Sequence, residues 1–453
     1  MHEILFEYEM NPTTWVYVSS LMIIGIYFKF HRVLSVRNLD LVALIAFFPA
    51  LLIISRGYEH WGYVWLFSVS GFFLIRLLLD PVMVRRPLLE PNLSASGLTF
   101  TGVALLAFLM TNVIIGKVPD QNLRAAGQIV QPGAEGEARE EQEEHKEGAE
   151  KTLLPAEHLP GFRPFHEFAE MDEPMVAADR VPPLTPRQQW FRVVATRTAA
   201  ILGHVAVVIG IVLVGYRHFD NTHTGVAAAS LYLLLPSTAQ LTREIDHVIP
   251  GAVLVWSLES YRRPVWSGLL FGIAAGLIFY PLFLLPLWCS FYWRRGLIRF
   301  LVSMVVTLAL MVLALGLISG SFSEFGDLLK QMFGWTSLWG EYANGFWEYH
   351  SHAFRIPIIA AFLVLCGSLA LWPPQKNLGT LLSLSAAVML ASQFWNPYQG
   401  GLYMAWYQPL LVLTVFRPNL EDRVALTAVV EGRAPGPLRR LFRAVIRLGS
   451  HKA

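Results

Sequence analysis

Apolar blocks close to 20 residues long follow one another along almost the whole chain, and most charged residues sit in the breaks between them. That pattern constrains the fold more than any motif does. A helix needs about 20 residues to cross a bilayer core roughly 30 Å thick. Inside that core the backbone must satisfy its own hydrogen bonds, which leaves only helices and closed barrels. Barrel strands alternate apolar and polar residues; these blocks are continuously apolar, so they read as helices. The spans fall near 12–29, 40–55, 62–79, 97–116, 193–215, 225–240, 248–261, 299–318, 354–372, 378–394 and 400–416. The chain is therefore expected to be an all-α polytopic integral membrane protein with about 11 transmembrane helices and one further, broken run at 265–292. Only 15% of its residues are charged, against about 25% in a soluble domain.

Lys and Arg in short loops mark the cytoplasmic side. The C-terminal tail carries Arg417, Arg423, Arg433, Arg439, Arg440, Arg443 and Arg447, so it is expected in the cytoplasm. Counting back places Lys376 inside, 319–353 outside and the Arg294-Arg295-Arg299 loop inside. Arg262-Arg263, at the other end of the run 265–292, is basic too, and one crossing cannot leave both ends on one side. Residues 265–278 and 281–292 are each too short to span, and Tyr280-Pro281 separates them. A re-entrant-like pair of half-helices resolves the conflict, a form tolerated where protein or water surrounds it. With that pair, Lys29, Arg32, Arg37, Arg85 and Arg86 fall inside, and the acidic N-terminus (Glu3, Glu7, Glu9) falls outside. That terminus lacks a basic n-region, so the first run reads as a retained helix. The expected setting is the plasma (inner) membrane.

Four regions follow: an N-terminal four-helix membrane segment at 1–116, an extramembrane loop at 117–192, a membrane core at 193–416 and a basic tail at 417–453. The stretch GAEGEAREEQEEHKEGAEK within the loop is too charged to bury a core and is expected to be partly disordered. The loop 319–353 is rich in aromatics, including Trp335, Trp339, Tyr342, Trp347 and Tyr349; these suit either an interfacial belt or a sugar- or lipid-contacting platform. A net charge of +2 gives no nucleic-acid footprint. Cys289 and Cys366 both lie in apolar runs and suggest no disulfide framework.

Polar residues at membrane depth are costly and so mark candidate sites. On the expected outer face these are Arg56, Glu59 and His60; Arg243, Glu244, Asp246 and His247; Glu341, Glu348, His350 and His352; and Trp395, Asn396, Tyr398 and Gln399. The Arg243–His247 turn is the sharpest of these groups. A carboxylate there can deprotonate an acceptor hydroxyl, and an arginine can hold a phosphate bidentately. Neither His218-Phe219-Asp220-Asn221-Thr222-His223 nor the pair His350 and His352 completes a metal-ligand set, so no metal or other cofactor is assigned. The sequence contains no Walker motif, GxSxG, HExxH or CxxC pair.

The run LYLLLP (Leu231–Pro236), a polar turn, a span ending ESYRRP (Glu259–Pro264) and then SGLLFGIAAGLIFYPLFLLPLWCSFYWRRG (Ser267–Gly296) together resemble the polyprenol-phosphate-sugar-dependent glycosyltransferases of the GT-C superfamily. The mannosyltransferase-like branch is the most similar. The resemblance covers mainly residues 200–300, and NPYQGGLYMAWYQPLL (Asn396–Leu411) loosely. Where that branch has a lysine before the proline of its Gly-rich segment, this chain has Ile278-Phe279-Tyr280. The resemblance implies a GT-C-like core, an extracytoplasmic active site, a polyprenyl-phosphate-linked sugar as donor and an acidic base just after the first core span, which is Asp120 if the core begins at 97–116. The expected catalytic residues are thus Asp120 and Asp246, with Arg243, Glu244, His247, Trp339, Glu341 and His350 on the substrate. Two other readings of the pattern are a transporter or flippase, with the broken helix lining its pathway, and a non-catalytic membrane scaffold.

Overall fold

The computed structural model describes residues 12–83, 89–116, 186–293, 295–319, 321–335, 345–398 and 400–418. Among them the chain is helical, with no strand. In order, α1 is Pro12–Tyr27, α2 Val36–Ser55, α3 Glu59–Leu79, α4 Ala95–Ile115, α5 Pro186–His218, α6 Thr222–Leu234, α7 Pro236–Gln240 and α8 Ile245–Glu259. The remainder are α9 Pro264–Leu277, α10 Leu285–Phe291, α11 Leu297–Ile318, α12 Phe322–Met332, α13 Arg355–Leu371, α14 Leu378–Ser392 and α15 Gln408–Phe416. Short 3₁₀ turns interrupt the order, among them Tyr280–Leu284, Gly345–Tyr349 and Met404–Trp406. Five described helices are long and apolar enough to cross a membrane by themselves: Val36–Ser55, Glu59–Val82, Ala95–Ile115, Val193–His218 and Leu297–Ile318.

Successive long helices run in opposite directions between two ends of the molecule. One end gathers the C-terminus of α4, the N-terminal part of α5, the turn before α8 and the segment between α14 and α15, joined by bonds such as Arg197 to Gly116 and Trp406 to Asp246. The other gathers the end of α3, the end of α5, the turn after α8 and the residue after α15, joined by Arg417 to Asp80 and Arg217 to Glu259. We call these the Arg243 end and the Arg417 end. One continuous apolar core, from Val16 on α1 to Phe416 on α15, lies between them.

The run 265–292 folds back on itself. At its base the Tyr292 hydroxyl donates to Tyr261 O at 2.7 Å. A Cβ on Gly296 would fall 2.8 Å from Pro264 Cγ. Both flanks therefore lie together at the Arg417 end. The break falls at Ile278, extended at ψ 137°, and Pro281 sits in the first turn of the 3₁₀ segment Tyr280–Leu284 that follows, where its missing N–H cannot continue the hydrogen bonds of α9. The rising limb, α9, has 14 residues, about 21 Å of helix. Its glycines set the packing. A Cβ on Gly268 would lie 2.3 Å from Phe300 O, on Gly272 2.8 Å from Met304 O and on Gly276 2.3 Å from Met311 Sδ. The backbones of α9 and α11 thus meet directly, as small residues four apart allow between membrane helices.

Of the 11 expected spans, five coincide with the five long helices; those near 12–29, 248–261, 354–372 and 378–394 are shorter helices of 15–17 residues, and the other two differ in detail. Residues 225–240 form two helices, because Pro236 holds Leu235 extended at ψ 127° and ends α6. Residues 400–416 are α-helical only from Gln408, after the 3₁₀ turn Met404–Trp406. Gly401 has φ +98°, and a Cβ on Gly400 would meet Gln393 O at 2.4 Å, so the chain turns tightly before α15 starts. α5 begins at Pro186, inside the segment read as a loop; residues 117–185, which hold the acidic stretch, lie outside the described residues, as does the tail beyond 418.

A buried ionic network closes the Arg417 end. Arg76 donates to both oxygens of Asp40 and to Asp80 Oδ1, each at 2.9 Å. Arg417 donates from Nε to Asp80 Oδ2 at 2.9 Å, and the Asp80 side chain is fully buried. The set ties α2 and α3 to the end of α15. Removing one member of such a buried set costs about 3–5 kcal/mol, because it strands the opposite charge.

Candidate functional site

The turn between α7 and α8 supplies Arg243 and Glu244, and the first turn of α8 supplies Asp246 and His247. Arg243 donates from Nη2 to Asn112 Oδ1 at 3.2 Å. Its guanidinium lies against Gly116, where a Cβ would be 1.9 Å from Cζ, so any larger residue there would push the arginine aside. Arg197 on α5 donates to Gly116 O at 2.9 Å. Two arginines therefore converge on the C-terminal end of α4, where cations complement the helix dipole and the last carbonyls.

Behind the turn stands a wall of rings. His247 is buried and stacks on Tyr403 with centroids 4.6 Å apart. Tyr403 stacks on Trp406 at 4.2 Å, and Trp406 donates its Nε1–H to Asp246 O at 3.1 Å. Gly251 makes this docking possible, since a Cβ there would meet Ala405 O at 2.3 Å. The tip of the folded-back run forms the floor: Tyr280 lies 5.3 Å from Trp406 and 5.4 Å from Trp395. Buried Arg355, at the start of α13, donates to Trp395 O at 3.2 Å.

Four buried polar atoms of this assembly have no hydrogen-bond partner among the described residues: Glu244 Oε2, Asp246 Oδ1, His247 Nδ1 and Trp395 Nε1. Most buried polar groups in proteins are satisfied, which makes this ring-lined corner a candidate site. Burial and the neighbouring Asp246 raise the Glu244 carboxyl to about 8, with Arg243 pulling the other way. At neutral pH Glu244 therefore holds a proton in the turn.

His350 belongs to a neighbouring cluster. Its ring stacks on Phe346 at 4.3 Å and lies 5.8 Å from His60, nearly parallel. Tyr349 donates to Glu59 Oε2 at 3.4 Å. Buried Tyr63 links the two clusters, within electrostatic reach of Glu59, Glu348 and Tyr349 on one side and of Tyr403 on the other. The structure thus brings to one end the residues around Glu59, Arg243, Glu348 and Trp395 that the sequence holds far apart. Asp120, Trp339 and Glu341 lie outside the described residues. Arg197, Asn112, Tyr403 and Trp406 reach this corner only through the fold, and nothing local in the sequence marks them as part of it. The Gly400-Gly401 pair before Tyr403 was the local signal of a turn there. His218, in the other histidine-containing cluster, bonds through its ring to Glu259 O at 2.7 Å. The chain matches no protein-family model, no curated protein and no solved structure.

Proposed function

We propose that the chain is an integral-membrane glycosyltransferase that moves a sugar from a polyprenyl phosphate to an acceptor on the extracytoplasmic side. The observation that carries this reading is the corner at the Arg243 end, where two carboxylates and a histidine hold unpartnered polar atoms against aromatic rings. In this reading 11 spans and the folded-back pair make a GT-C-like core. The Arg243 end faces outward, because Arg262, Arg263, Arg295, Arg299 and Lys376 stand at the Arg417 end and would lie inside. The resemblance of residues 200–300 supplies the donor class.

Asp246 serves as the general base. The acceptor oxygen forms a bond to the anomeric carbon as the bond from that carbon to the phosphate oxygen breaks, and Asp246 takes the hydroxyl proton. The leaving polyprenyl phosphate carries the new negative charge beside Arg243. Glu244, holding its proton at neutral pH, adds no charge against that phosphate and can donate a hydrogen bond to it. The buried rings of Tyr280, Tyr403 and Trp406 back this corner and hold its polar groups in place.

Transfer from polyprenyl-phosphate sugars in proteoliposomes tests the assignment. Asp246→Asn is expected to lower the rate about 10²–10⁴-fold, the usual worth of a general base. Wild-type rates in Asp246→Asn and also in Asp120→Asn would remove both candidate bases. Transport suits the broken helix; uptake of a polar solute by the same vesicles, with no glycosyl transfer, would favour that reading instead.

A further inference from the structure

The folding back of 265–292 has a second effect, at the Arg417 end. It gathers arginines that are far apart in sequence. The Tyr292–Tyr261 bond and the Gly296–Pro264 contact close the base of the hairpin. Arg262 and Arg263, before α9, thereby lie at the same end as Arg295, after α10, and Arg299, in the first turn of α11. Arg263 and Arg299 are exposed, and Arg262 and Arg295 are half-buried. Glu259 is the nearby carboxylate, and it is engaged by Arg217 and by the Ser260 hydroxyl. Among the described residues none of the four hairpin arginines has an ion-pair partner; Arg262 donates to the Tyr261 hydroxyl at 3.3 Å.

Large apolar and amphipathic side chains surround this charge. Trp266 is 57% exposed, Trp293 62% and Ile298 76%. Bare tryptophans next to arginines, at the end of an apolar bundle, match the level of lipid headgroups, where Trp sits with its ring in the interface. Arginine's planar fork fits a phosphate better than a point charge does. Basic clusters at this level on the cytoplasmic side attract anionic lipids.

We propose that the base of the hairpin binds the headgroup of an anionic phospholipid, with its phosphate held by Arg263, Arg295 and Arg299 and its acyl chains beside Trp266 and Trp293. The lipid would bridge the two limbs whose tip forms the floor of the candidate site. This inference does not depend on the proposed transferase activity.

The test uses the purified full chain in neutral detergent, with phosphatidylglycerol or phosphatidylcholine added as mixed micelles. Thermal unfolding and native mass spectrometry are the readouts. Phosphatidylglycerol is expected to raise Tm in a saturable way and to remain bound in the spectrometer, while phosphatidylcholine does neither. The triple variant Arg263→Gln/Arg295→Gln/Arg299→Gln is expected to weaken the apparent affinity about tenfold or more, in line with losing charge-assisted bonds to one phosphate. Arg56→Gln, at the Arg243 end, should leave it unchanged. If the triple variant cannot be purified, the exposed single change Arg299→Gln is read the same way, with a loss of about threefold. Equal stabilisation by phosphatidylcholine overturns the proposal, as does undiminished affinity in the variants or an equal loss in Arg56→Gln. Displacement of the lipid by millimolar inorganic phosphate would identify a simple anion site and overturn the lipid assignment.

Discussion

Glu244 shows how one side chain can carry the electrostatic state of a corner. Its carboxyl, raised from 4.5 to about 8 by burial and by Asp246, keeps a proton in the folded protein that the unfolded chain has already released. Between those two values the native state binds more protons, so stability is greatest at low pH and is lost as pH rises through about 8. Tm measured from pH 5 to 9 is therefore expected to fall further in the wild type than in Glu244→Gln, which cannot ionise. Parallel curves would mean that the carboxyl is not held neutral. Part of this corner was legible in the sequence. Arg243, Glu244 and Asp246 stand out as charges between two apolar runs. Their setting was not legible, because Tyr403 and Trp406 join the turn from more than 150 residues away and read locally as part of a span. The buried network at the other end divides in the same way. Arg76 and Asp80 are four apart and signal a helical pair, whereas Asp40 and Arg417 reach them only through the fold.

At the scale of the element, the folded-back pair α9 and α10 is the part of the architecture the sequence specifies most fully. Two basic pairs flank a run too short to cross twice and broken by Pro281, and charge placement alone asks for both ends to lie together. Hydropathy was less informative at 400–416, where it cannot separate a buried tight turn from helix. There Gly400 and Gly401, not the apolar count, set the backbone. The packing of the pair also follows from glycine. Because a Cβ on Gly272 would sit 2.8 Å from Met304 O, the obstacle is backbone and cannot rotate away. Gly272→Leu is expected to destabilise by at least about 1–3 kcal/mol, the usual cost of overpacking, and Gly272→Ala by less. Since α9 carries Tyr280 at its tip, spreading α9 from α11 should also disturb the ring floor. Thermal unfolding of both variants checks the order. Full stability of Gly272→Leu would show that α9 and α11 do not meet at this glycine.

For the whole molecule, the decisive quantity is how many times residues 265–292 cross the bilayer. A single kinked span would put Arg263 and Arg299 on opposite sides; a hairpin closed by Tyr292 and Tyr261 puts them on the same side. The parity of that run propagates to everything before it, since each upstream loop changes sides if the run crosses. It therefore fixes whether the Arg243 end and the C-terminal tail face opposite compartments, on which the proposed extracytoplasmic chemistry depends. Cysteine labelling in intact cells separates the cases. With Cys289 and Cys366 replaced by alanine, single cysteines at Arg263 and Arg299, both exposed, are expected to react with a membrane-impermeant maleimide only after permeabilisation. A cysteine at Tyr58, 67% exposed at the Arg243 end, is expected to react in intact cells. Positions 263 and 299 labelling from opposite sides would refute the hairpin. Both labelling from outside, with 58 protected, would keep the hairpin but turn the molecule over. The carboxylate corner would then face the cytoplasm, where the positive-inside rule gives it no reason to be.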